Sequence, residues 1–184
     1  MPVELITFAR DCEATQIPSG NKIMLQKGTG GRITQSLGGS YTVVTDYGYM
    51  VRIEGENADA IGKPVLESTK KQADNQNAPL DKLVWDQLKT IYDPEIPINI
   101  VELGLIYEMK IAPLTDSEGE IRNEVNIKMT LTAPGCGMGE ALKRDAQSKI
   151  EHLPGVKKVN IELVWEPVWD QSKMSEAAKL HLGL

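Results

Sequence analysis

The sequence predicts an α+β fold in two parts, an N-terminal all-β barrel-like domain followed by a small α-β-β-α-β domain. Three observations predict it. Before residue 62, short alternating runs are separated by glycine- and proline-rich turns; after residue 79, helical and strand periods alternate; between them, 63–78 is polar and aperiodic. The expected boundaries are therefore a β domain over 1–62, a linker over 63–78, an α+β domain over 79–170 and a helical tail over 171–184.

In the first part, residues 12–17, 22–25, 31–35, 41–45 and 50–54 read as strands. The turns between them contain Pro18-Ser19-Gly20-Asn21, Gly28, Gly38-Gly39 and Asp46-Tyr47-Gly48. Five short strands with tight turns suit a curled sheet that leaves few edges open. Ala58 to Ile61 has the composition of one helical turn. The linker carries Lys70-Lys71 and a run of polar side chains that gain little by burial.

In the second part, Leu80, Leu83, Val84, Leu88 and Ile91 recur at helical spacing, and Asp93-Pro94 stops that helix. Residues 105–111 form a strand. The next, 124–132, sets Val125, Ile127, Met129 and Leu131 on one face against Asn126, Lys128, Thr130 and Thr132 on the other. Met138, Leu142, Ala146, Ile150 and Leu153 mark an amphipathic helix ended by Pro154-Gly155, and Val159, Ile161 and Leu163 a final strand. Two helices should cover one face of that small sheet.

Charge and cysteine content narrow the function. The net charge is −6 and the basic residues are scattered, with Lys157-Lys158 only a pair, so a nucleic-acid partner is not expected. No apolar run approaches the length of a membrane span. The start Met1-Pro2-Val3-Glu4 lacks a secretory pattern, which points to the cytoplasm. Cys12 and Cys136 stand far apart and neither belongs to a CxxC pair, which argues against a disulfide framework and a closed zinc site.

The segment richest in chemistry is Thr130-Leu-Thr-Ala-Pro-Gly-Cys136-Gly-Met-Gly139, a strand-to-helix loop. Its glycines let backbone amides approach a bound group, and a helix start favours the thiolate that binds metal or attacks an electrophile. The alternative is a small buried hydrophobe at a turn. Asp93-Pro94-Glu95-Ile96-Pro97 holds two carboxylates on a rigid loop, although a plain helix stop would look the same. Glu102, between apolar neighbours, reads as solvated. Gly28-Thr29-Gly30-Gly31 lacks the Gly-Lys-Ser/Thr of a phosphate loop. His152 suits a helix cap, His181 solvent, and Cys12 core packing; no histidine is positioned by sequence as the base for a cysteine nucleophile.

In this order and spacing, Asp93-Pro94-Glu95-Ile96-Pro97, Val101-Glu102-Leu103-Gly104-Leu105-Ile106 and the Thr132-to-Cys136 loop resemble the family that includes PaaD and the eukaryotic cytosolic iron–sulfur targeting factors. The closing runs Trp165-Glu-Pro-Val-Trp169 and 174–183, with the β domain, resemble its SufT-like branch over essentially the whole chain. The resemblance implies an accessory role, not an enzymatic one, in assembling iron–sulfur clusters or delivering them to client enzymes. It implies site residues Asp93, Glu95, Leu103, Thr132 and Cys136, and partners among the assembly machinery and client apo-proteins. Ala133 stands where many relatives have a second threonine, which removes one hydroxyl.

A resident cluster takes four cysteines, and this chain has two. The expectation is therefore a transient cluster or iron held partly by Cys136, shared with a partner, small thiols or a second copy in a homodimer, and nothing bound permanently. Two other readings compete. One is a cysteine-dependent transferase or hydrolase with Asp93 or Glu95 as base. The other is an interaction adaptor working through Trp165 and Trp169.

Overall fold

The computed structural model describes residues 4–65, 78–115, 120–133 and 137–184. Most of the expected linker, and Cys136 itself, lie outside the described residues. The chain divides into two compact units, Met1–Ala73 with Pro94–Pro97, and Asp74–Asp93 with Ile98–Leu184.

The first unit is one antiparallel sheet of six strands: β1 (Glu4–Thr7), β2 (Cys12–Gln16), β3 (Lys22–Leu25), β4 (Gly30–Leu37), β5 (Ser40–Thr45) and β6 (Met50–Glu54). Their order in space is β1-β4-β5-β6-β2-β3. Gly38 and Gly39, with φ of 63° and 83°, form the two-residue turn between β4 and β5; two successive left-handed residues match the twist of the flanking strands. Alternation puts Ala14, Leu25, Tyr41, Val43, Val51 and Ile53 inside, where Ala58, Ala60 and Ile61 of a 3-10 helix (Gly55–Ile61) meet them. β1 adds a strand to the five expected from sequence. It has no alternating signal because it is an exposed edge, with Leu5 79% accessible. Arg52 is buried, and its guanidinium pairs with Glu54 at 3.1 Å.

The second unit has a three-stranded sheet, β7 (Ile106–Thr115), β8 (Ile121–Met129) and β9 (Val156–Leu163), with β8 in the middle. β7 runs antiparallel to β8; β9 runs parallel to it, the two joined by helix α2 (Gly139–Glu151). Ala141, Leu142, Ala146 and Ile150 of α2 are buried, as are Val125, Ile127, Val159 and Ile161 of the sheet. Helix α1 (Leu80–Leu88) packs on α2, and Lys149 Nζ donates to the Thr90 carbonyl (3.2 Å) and hydroxyl (3.1 Å).

Three expected boundaries move. α1 stops before Ile91, because the Thr90 hydroxyl donates to the Gln87 carbonyl (2.7 Å) and Tyr92 leaves to form a bridge with Asn99. β7 runs four residues further than expected, past Pro113, which an edge strand tolerates because its missing N–H costs no ladder bond on the open side. β8 begins and ends earlier; the Thr130 amide still donates to the carbonyl of Leu105 (2.8 Å), the residue before β7. Thr130 is accordingly buried, although alternation put it on the exposed face.

Candidate functional site

Residues 91–105 form a turn built by local bonds. The Asp93 amide donates to the Ile98 carbonyl (3.1 Å) and the Ile100 amide to that of Ile91 (2.9 Å). Asp93 is 8% exposed, whereas Glu95 is exposed. Asn99 Oδ1 then accepts from the amides of Val101 (3.1 Å) and Glu102 (2.9 Å), a side chain taking the place of a backbone acceptor. Leu103 and Leu105 are fully buried, and Gly104 between them has φ of +70°. The Leu105 carbonyl accepts from the Thr130 amide (2.8 Å), so this turn hangs on the end of β8.

A strap formed by residues 164–175 closes over the turn. Trp169 Nε1 donates to the Leu103 carbonyl (2.8 Å), the Ser175 amide to Glu102 (2.9 Å), and the Tyr107 hydroxyl to Pro167 (2.7 Å). A Cβ on Gly104 would collide with the carbonyl of Lys173, whose carbon atom lies 2.6 Å from the Cβ position. Met174 is buried behind it, and Ser175 caps helix α3 (Glu176–Leu182) by accepting from the Ala178 amide (3.1 Å). Trp169 thus supports the turn, while Trp165 is 43% exposed.

The thiol loop leaves from the same end of β8. Thr132 is half-buried and Ala133 exposed; Pro134, Gly135 and Cys136 lie outside the described residues. The two stems of the loop touch. Leu131 Cδ1 stands 2.5 Å from where a Cβ on Gly139 would be, so a larger residue there forces that buried leucine side chain to shift. Met138 supplies no side-chain cap to α2; its carbonyl accepts from the amides of Ala141 (3.0 Å) and Leu142 (2.9 Å). Gly139→Ala should therefore destabilise the unit by about 1–3 kcal/mol despite alanine's better helix propensity, and Leu131→Val should recover part of that loss. Chemical denaturation of the two single variants and the double variant would measure this coupling; additive losses would refute the contact.

The resemblance groups Asp93, Glu95, Leu103, Thr132 and Cys136; in the second unit the Ile100 amide donates to Ile91, the Leu105 amide to Ile100 and the Thr130 amide to Leu105, which links the turn carrying Leu103 to the segment before Thr132. Sequence reasoning overlooked Asn99, although Asn99 followed by Glu102 three residues on is a start-of-turn signature. Cys12 is only 1% exposed in the first unit's core, and burial pushes its thiol pKa up. His152 caps α2, donating through Nδ1 to the Ser148 carbonyl (2.5 Å). Among the described residues, no three His, Cys, Asp or Glu side chains gather to hold a metal ion, and no helix is long and apolar enough to cross a membrane.

Residues 81–163 match the model of a family described as iron–sulfur cluster assembly protein, and this span contains Asp93, Glu95, Leu103, Thr132 and Cys136. The chain is 44% identical over 96 residues to an Fe-S protein maturation auxiliary factor of Porphyromonas gingivalis, covering 52% of this chain and 84% of that protein. It is 33% identical over 105 residues to the auxiliary factor YitW of Bacillus subtilis, covering 57% and 95%. To the auxiliary factor SufT of Staphylococcus aureus it is 34% identical over 94 residues, covering 51% and 98%. The chain belongs to the iron–sulfur cluster assembly protein family, among its SufT-like maturation auxiliary factors.

Proposed function

We propose that this chain is an auxiliary factor that passes iron–sulfur clusters to client apo-proteins in the cytoplasm, works without catalysing a reaction of its own, and uses Cys136 as its one working thiol. The observation that carries this reading is the position of the other cysteine. Cys12 is sealed in the core of the β unit, so the chain has one sulfur to offer where a resident cluster takes four. A cluster or iron atom is then cargo, held by Cys136 together with thiols of a donor, a client or a second copy, and incomplete coordination lets it leave. The place of Cys136 in the sequence just before α2, whose start carries a partial positive charge, supports a thiolate at that loop. The family resemblance groups Asp93, Glu95, Leu103 and Thr132 with Cys136 in this reading.

In this reading residues 79–170 carry the site and 171–184 brace it, while 1–62, joined through the linker at 63–78, recognise a partner. The Phe8 amide donating to Thr29 (2.9 Å) and the Gly28 amide to Phe8 (2.8 Å) extend the β1–β4 pairing, and the barrel-like curl of the β unit belongs to this reading. The test is Cys136→Ser in cells lacking the native protein, with folding checked separately. Activity of a cluster-dependent dehydratase should fall to the level of the deletion strain, and wild-type activity would remove the thiol mechanism.

A second reading, an adaptor acting through its surface alone, is favoured by the exposure of Trp165 and of Val168, which is 68% accessible. It requires that Trp165→Ala abolish client maturation while Cys136→Ser leaves it intact.

A further inference from the structure

β7 is an outer strand: it pairs with β8 on one side and, among the described residues, with no strand on the other. An open edge of this length is usually blunted, because its free amides and carbonyls template pairing with another chain. The blunting devices here are Pro113, near the far end, and the register shift between Ile106 and Glu108 at the near end. A proline in a paired edge strand turns its nitrogen to the open side. Ile111 and Met109, two and four residues before it, therefore also turn their N–H and C=O groups outward. Pro113 bounds this edge at one end and the register shift between Ile106 and Glu108 interrupts it at the other, so the regular stretch is 108–112.

We propose that this edge pairs with the β7 of a second copy, antiparallel and centred on Met109, joining two three-stranded sheets into one of six. Residues directly opposite in such a pair share a face, so a symmetric pairing must put even numbers against even and odd against odd. Centring on Glu108 would set two glutamates face to face, and centring on Lys110 two lysines. Centring on Met109 sets Glu108 against Lys110 of the partner subunit, twice by symmetry, on the polar face. On the other face it brings the half-buried Met109 against its own copy. The pattern of charges thus selects this register, and Met109 is one of the outward-bonding residues on which such a pair can be centred. Lys110 is 73% exposed, and Glu108 already pairs with Lys110 of its own chain and with Lys128 (3.7 Å), so dimerisation exchanges the intrachain Glu108–Lys110 pair for two between copies. The pull of Lys110 keeps the Glu108 carboxyl below its usual pKa, so it remains charged near neutrality. This interface does not depend on the thiol mechanism.

Sedimentation velocity of the full chain over a micromolar-to-millimolar range tests it, with circular dichroism confirming folding. The wild type should dimerise with rising concentration. Glu108→Lys and Lys110→Glu should each weaken the dimer about tenfold or more, because like charges then face each other twice. The double variant E108K/K110E should restore it. If Glu108→Lys fails to fold, Lys110→Glu at the exposed position still carries the test. A wild type that stays monomeric leaves the edge to an extended segment of another protein and overturns the proposal. So does a dimer indifferent to both reversals, or a double variant that does not recover.

Discussion

Gly104→Ala should destabilise the second unit by about 2–5 kcal/mol and lower its melting temperature by more than about 10 °C. Two costs add. An L-residue at φ of +70° loses about 1–2 kcal/mol, since its Cβ crowds the neighbouring carbonyl. The new methyl group also meets the Lys173 backbone, which cannot rotate aside as a side chain tip would. Gly155→Ala separates the two costs. Gly155 has φ of +79°, but its added Cβ would meet only Asn123 Nδ2 at 3.6 Å, so it should show the conformational cost alone. Lifting the strap should also expose Trp169 and shift its emission to the red. Equal melting temperatures for the two variants would mean that the strap is not clamped on the turn.

Leu103→Ala should cost about 2–5 kcal/mol, the range for emptying a fully buried leucine site, whereas Leu103→Met should cost less than about 1.5 kcal/mol. The resemblance to the iron–sulfur targeting family groups Leu103 with the acidic and thiol residues, but its side chain lies entirely in the interior. What it presents outward is its carbonyl, which accepts from Trp169 Nε1 and survives either substitution. Client maturation should therefore follow stability across the two variants, with Leu103→Met retaining function. A Leu103→Ala protein as stable as the wild type but defective in maturation would instead give that side chain a direct role.

Patterns confined to neighbouring residues were legible in the sequence. The alternation at Val125, Ile127 and Met129 and the 3.6-residue spacing through Leu142, Ala146 and Ile150 predicted β8 and α2, and the paired glycines predicted the β4–β5 turn. Two kinds of feature were not legible. Edge strands bury too little to leave a hydrophobic pattern, which hid β1; on β7 the same openness let the strand continue through a residue that normally ends one. Bonds between distant segments leave no local trace, and Leu103 with Trp169 is such a pair, 66 residues apart. The site follows the same division. Its acidic loop and glycine turn were visible as motifs, but Leu103's burial and the contact of Leu131 with Gly139 follow from tertiary packing.

The sealed sulfur of Cys12 also provides a clock. In the Cys136→Ser protein it is the one thiol left, and an alkylating reagent can reach it only when the six-stranded sheet breathes open. The labelling rate in native buffer, divided by that of a free thiol, then gives the fraction of time the sheet spends open. That number belongs to the β unit alone, read without denaturant and whatever the neighbouring helices are doing.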